Sequence, residues 1–244
     1  MRKDDCIVEP LRIFIGFDPR ETAAFHVLAH SIAKHASRPV AITPIKLDHV
    51  QPEFDRPRDP LQSTDFSFSR FLTPYLSGFQ GWSLFMDCDM LLRTDIAALF
   101  ALRDERYAVM CVQHVHVPRE TTKFLGSAQT KYEKKNWSSV MLFNNARCTA
   151  LTPDYVSRAS GLELHQFKWL GDDTQIGALP RRWNHLVDVD PYDADAANVH
   201  FTIGGPYFAE YSDCDYAAEW FAMRDDMLRV DQREVPRKRA TPGR

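Results

Sequence analysis

The sequence predicts an α/β fold, a mostly parallel central sheet flanked by helices. Three observations point there. Apolar runs of strand length alternate with segments of helical periodicity, the order that builds βαβ units. The run 11–17 is nearly continuous in apolar residues, as a strand covered on both faces is, and 82–86 is a short apolar strand. Finally, 44% of the 244 residues are apolar, with 16 Phe, 8 Tyr and 5 Trp, which is ample material for one large core.

The elements follow in order. Residues 1–10 read as a flexible lead-in. The strand 11–17 ends at Asp18-Pro19. A helix over 20–36 places Phe25, Leu28, Ala29, Ile32, Ala33 and Ala36 on one stripe. A second strand spans 39–47, and the charged, Pro-rich stretch 48–60 is a surface loop. Phe68, Phe71, Leu72 and Tyr75 predict a helix over 65–76. The strand 82–86 runs directly into Asp87-Cys88-Asp89, and a short helix over 95–102 precedes a β-rich run, 107–117. The polar stretch 118–136, with Lys131, Lys134 and Lys135, reads as a loop or flap. A strand over 140–143 follows. Thr152-Pro153 then starts a helix with a cap and a proline. Gly171-Asp172-Asp173 opens another helix, 183–189 is a strand, and 215–230 is an amphipathic helix bearing Tyr216, Trp220, Met223 and Met227. The basic stretch 231–244 reads as a flexible tail. No repeat or linker divides the chain, so 11–230 is expected to be a single catalytic domain.

Composition excludes several classes. Thirty basic against 33 acidic residues, a net charge of −3, argue against a surface devoted to nucleic acid. There is no apolar run long enough to span a bilayer, and the first ten residues are too polar for a signal peptide. Five scattered Cys with no CxxC pair read as reduced thiols. The expectation is a cytoplasmic protein, at most peripheral to the inner face of a membrane through its basic tail. The Asn136-Trp137-Ser138 triplet then reads as a chance sequon.

The chemistry concentrates at WSLFMDCDML, residues 82–91. An apolar strand delivers Asp87 and Asp89 at its end, and ligands of open α/β sheets bind beyond the carboxyl ends of strands. Two carboxylates so spaced can hold a hard divalent cation and leave room for phosphates. The best third ligand is His200, beside the Gly204-Gly205-Pro206 turn of NVHFTIGGPYF. Cys111, His114 and His116 also tempt as a zinc site. On a strand, however, Cys111 faces away from the two histidines, so a metal there is not expected.

This ordered set resembles the family 8 retaining glycosyltransferases of the GT-A fold, the group of glycogenin and the lipopolysaccharide galactosyltransferases. The likeness spans residues 11–208. By that resemblance RIFIGFD is the nucleotide-binding start, so Asp18 contacts the base. STDFSFSRF carries Arg70, which reaches the diphosphate or sugar. FMDCDM is the metal-binding DxD, GDDTQIG lies beside the anomeric carbon, and the late histidine motif completes the metal site. Two departures stand out. Trp137-Ser138-Ser139 replaces Asn-Ala-Gly, and Gly205-Pro206-Tyr207 stands where the family usually has a lysine.

The resemblance implies a Mn²⁺- or Mg²⁺-dependent hexosyl transfer from a nucleoside-diphosphate sugar, a UDP-sugar being favoured. The acceptor is a carbohydrate or a lipid-linked compound. Asp87, Asp89 and His200 would hold the metal. It would neutralise the departing diphosphate without proton transfer. Asp173 or Asp172 would stabilise the oxocarbenium-like carbon, the other capping its helix. Arg70 would assist the leaving group. Gln175, Gly204 and Gly205 would line the substrate, with Asp87 touching it as well. Two alternatives accompany this reading: a haloacid-dehalogenase-like phosphatase with Asp87 as nucleophile, and a non-catalytic nucleotide-sugar binding protein.

Overall fold

A computed structural model describes residues 9–59, 62–115 and 134–229. The tail 231–244, His116, Lys131 and most of the lead-in and flap lie outside the described residues.

Six strands form the central sheet, in the order β2-β1-β3-β6-β5-β7: β1 (Leu11–Gly16), β2 (Val40–Ile45), β3 (Trp82–Met86), β5 (Val109–Cys111), β6 (Val140–Asn144) and β7 (Ile176–Ala178). β1 is parallel to β2 and β3, and β5 is parallel to β7. β6 runs antiparallel to both β3 and β5, so it alone is reversed in an otherwise parallel sheet. A second sheet has the order β4-β9-β8, from β4 (Met90–Leu92), β9 (Asn198–His200) and β8 (His185–Leu186).

The registers decide what meets at the site. Ile15 pairs with Met86, so β1 and β3 end side by side, and the turn after each begins at the same sheet edge. Met86 also pairs with Val140, which brings Ser138 and Ser139, just ahead of β6, to that edge. Asp87 N donates to Ser139 O at 2.9 Å.

In the small sheet Met90 pairs with His200, and Phe201 N donates to Asp89 O at 2.8 Å. The fold thus returns a histidine to the residue after the second aspartate, although Met90 and His200 are far apart in sequence.

The main core covers both faces of the central sheet, with Ile13, Ile15, Phe66, Phe71, Phe85 and Phe143 almost fully buried. A smaller cluster of Val27, Leu91, Val187, Val199, Phe201 and Trp220 backs the second sheet. Helix Thr22–His35 joins the two, giving Leu28 and Ile32 to the first and Val27 to the second. Burying its apolar stripe stabilises it in the way the period predicts.

Three predicted elements differ. The helix over 65–76 is a 3-10 turn, Ser69–Leu72, followed by a short helix, Thr73–Leu76. Pro74 has no N–H for a continuing helix and sits in the first turn of the new one. Gly171-Asp172-Asp173 opens a single 3-10 turn, Asp173–Gln175, and not a helix, because Ile176–Ala178 is captured as an edge strand beside β5. Of the predicted strand 183–189, Trp183 and Asn184 end the 3-10 turn Arg181–Asn184, His185–Leu186 alone is paired in a sheet, and 187–189 form a turn. The helix predicted over 215–230 is present as Ala217–Met227 but has no marked apolar face: of its predicted stripe Tyr216 and Trp220 are buried and Met223 and Met227 only half-buried. β2 lies inside its predicted span.

Candidate active site

Asp87, Asp89 and His200 each offer a ligand atom, and the three atoms lie within 4.8 Å of one another. His200 Nε2 is 3.3 Å from Asp89 Oδ2 and 4.0 Å from Asp87 Oδ2. Among the described residues this is the one group of three or more His, Cys, Asp or Glu so arranged. Oδ1 of Asp89 is buried and accepts no hydrogen bond. An acceptor left bare at such depth is costly unless a ligand satisfies it. Two carboxylates and one imidazole also suit a hard to borderline divalent cation, so the residues fit such an ion.

The imidazole is oriented from behind. Asn184 is fully buried, and its Nδ2 donates to Ser139 Oγ at 2.8 Å and Asn136 O at 3.1 Å. That leaves Asn184 Oδ1 as the acceptor for His200 Nδ1 at 3.0 Å. Nδ1 then carries the hydrogen, and Nε2 faces the carboxylates. Nothing in the sequence marks Asn184.

Arg70 fixes the first aspartate. It is buried, with Nη1 at 2.7 Å from Asp87 Oδ1 and donating to Ser138 O at 3.0 Å. Burial pushes the Asp87 carboxyl up to about 7, against the pull of Arg70. Burial also opposes charge on Asp89, but His200 outweighs it and holds that group below the ordinary carboxylate range. His200 is raised in turn, the two aspartates more than offsetting the cost of its burial. Two carboxylates two residues apart are thus driven in opposite directions, Asp87 up by burial and Asp89 down by His200.

The other expected site residues have partners of their own. Asp18 is fully buried, and its oxygens accept from Arg20 Nε, Nη2 and N and from Asp65 N at 2.6–3.1 Å. Asp172 caps its turn, accepting from Thr174 N at 2.8 Å. Asp173 is exposed and pairs with Lys134 Nζ at 2.6 Å; the same ammonium donates to Gln166 O. Gln175 Nε2 donates to Leu170 O at 2.7 Å, which holds the loop before its own turn. A Cβ on Gly204 would meet the Tyr211 ring at 2.3 Å, and one on Gly205 the Tyr207 ring at 2.2 Å. Both glycines are therefore already packed against rings of their own loop.

Cys111 and His114 do not join the metal group. Burial raises the Cys111 thiol and pushes His114 down to about 4, so both are neutral buried groups near neutrality. Glu21 and Tyr207, which sequence reading passed over, lie close to the site. Burial and the charge of Asp89 raise the Glu21 carboxyl.

No protein-family model matches the chain. It is 45% identical over 237 residues to Protein CDI of Arabidopsis thaliana, covering 93% of this chain and 91% of that protein. Among solved structures it is similar to the WbbM bifunctional glycosyltransferase, with a TM-score of 0.63 and 13% identity over 91% of this chain; it spans only 50% of that longer protein. GlyE of Streptococcus pneumoniae TIGR4 gives 0.56 and 13%, over 88% of this chain and 60% of that one. The galactosyltransferase LgtC, solved with donor and acceptor sugar analogs, gives 0.54 and 12%, over 91% and 98%. Identities this low speak for architecture alone. The chain has the GT-A glycosyltransferase fold and belongs to the family of Protein CDI of Arabidopsis thaliana.

Proposed function

We propose that this protein is a metal-dependent glycosyltransferase of the hexosyltransferase type. It moves a sugar from a nucleoside-diphosphate sugar, a UDP-sugar being favoured, to a carbohydrate or lipid-linked acceptor, with retention of configuration. The observation that carries this reading is the meeting of Asp87, Asp89 and His200 at the carboxyl edge of a GT-A sheet. A Mn²⁺ or Mg²⁺ held there neutralises the charge that grows on the departing diphosphate.

The chain's own residues do the rest. Arg70 holds Asp87 in place and brings a fixed positive charge beside the phosphates. Asp173 is the carboxylate for the oxocarbenium-like carbon, and donor binding draws Lys134 from it toward the diphosphate. That gives a source for the charge a late lysine supplies elsewhere. Asp172 shapes the turn that presents Asp173. Asp18, saturated by Arg20 and Asp65, acts on the base by shaping the turn after β1. Gln175, Gly204 and Gly205 hold the loops that border the donor.

Thermal unfolding with UDP, GDP, CDP and ADP, each with and without Mn²⁺, tests the reading. A ligand at about 100 times its Kd adds roughly 2.7 kcal/mol. One nucleotide should shift the transition only with metal, and Asp89→Ala should lose that shift while staying folded. A metal-independent shift, or none, counts against the site. Binding without turnover of any sugar nucleotide supports the binding-only alternative.

A further inference from the structure

Glu21 joins three segments that the sequence keeps far apart. It ends the turn after β1, at the head of helix Thr22–His35, yet its side chain makes no cap bond to that helix. It reaches across the site edge instead. Its Oε1 accepts from Tyr207 O–H at 2.8 Å. Its Oε2 accepts from the Cys88 thiol at 3.6 Å. Cys88 is the fully buried residue between the two aspartates, and Tyr207 lies in the loop that follows His200. One carboxyl therefore connects the DxD turn to the loop bearing the third ligand.

The loop is built to deliver that hydroxyl. The Tyr207 ring lies against Trp220 of the C-terminal helix, centroids 5.5 Å apart. It also fills the space a Cβ on Gly205 would need, at 2.2 Å. A glycine at 205 is what lets the ring lie flat on its own backbone and point its oxygen to Glu21. Resting on the metal site proposed above, we infer that Glu21 and Tyr207 are positioning residues, a clasp that fixes the His200 loop against the Asp87–Asp89 turn and so sets the affinity of the divalent cation.

The test is Mn²⁺ binding by the full chain, read as free Mn²⁺ by EPR, in wild type, Tyr207→Phe and Gly205→Ala. Tyr207→Phe keeps the ring and removes only the hydroxyl; Gly205→Ala displaces the ring. Each should weaken Mn²⁺ binding by about tenfold. The double variant should be no weaker than the poorer single one, because both act through one hydrogen bond. A hydroxyl that merely stabilises the fold would lower the Tm of the metal-free protein and leave the Kd for Mn²⁺ unchanged. That result, or wild-type affinity in both folded variants, overturns the clasp. Failure of the wild-type chain to bind Mn²⁺ overturns the metal site itself, and the clasp with it.

Discussion

At the scale of single residues, the site is a problem in burying charge. Arg70 and Asp87 form a nearly buried pair, and such a pair is most costly when one partner is removed. Arg70→Met should therefore cost about 3 kcal/mol or more at pH 8 in urea unfolding. The loss should shrink toward pH 6, where Asp87, already pushed up to about 7, takes a proton and no longer needs the cation. Two histidines outside the Asp87, Asp89 and His200 group set a second pH dependence. Burial holds His114 at about 4 and His165 at about 3, below the ordinary 6.5 of the unfolded chain. Between those values the unfolded state binds more protons, so stability rises with pH. The protein should lose stability as pH falls from about 6.5 toward 4, with a slope of up to about 1.4 kcal/mol per pH unit for each histidine. His114→Asn should flatten that slope when unfolding is compared at pH 7 and pH 5.

At the scale of elements, short strands and tight turns decide where side chains arrive. Gly16 ends β1 beneath Phe66, whose ring would sit 2.3 Å from an added Cβ. Phe66 is 1% exposed and has nowhere to move. Gly16→Ala should therefore cost about 1–3 kcal/mol by chemical denaturation. Long periodic elements were readable: β1, β3 and the helix Thr22–His35 lie where alternation and stripe place them. Among the three-residue strands described, only β5, inside the predicted run 107–117, was. β4, β7 and β9 are each too short to show a period, and each exists because a neighbour pairs with it. The false helix at 171–173 has the same cause. Asp is a good cap, and the residues after it were claimed by β5 before a helix could form.

At the scale of the whole molecule, the second cluster holds the small sheet that carries His200 beside Asp89. Trp220 is 1% exposed and packs in one group with Leu91 of β4 and Val199 of β9, which pair with each other in the small sheet. Trp220→Ala should cost about 3–5 kcal/mol. It should also reduce the Mn²⁺-dependent nucleotide shift, since the register that carries His200 to Asp89 rests on that cluster. Urea unfolding and the thermal panel read the two effects separately. Among the described residues no helix is long and apolar enough to cross a membrane.

The sequence by itself determined the class of fold and the elements that anchor it, because apolar periodicity and strand-length runs are local properties of the chain. It also singled out the three side chains that the fold brings together. Asp87 and Asp89 lie two residues apart just past one strand end, and His200 stood out by its glycine turn. Tertiary structure alone decided what surrounds them. Asn184 behind His200 and Glu21 between Cys88 and Tyr207 have no local signature, and the 137–139 stretch, though it stood out, gave no sign that Ser138 would meet Arg70 and Ser139 the backbone of Asp87. They are set by strand registers and loop closures that join residues tens to nearly two hundred positions apart. Asp18 shows the same limit from the other side. Its place at the end of β1 was legible, but only the folded chain shows that Arg20 and Asp65 already engage its oxygens.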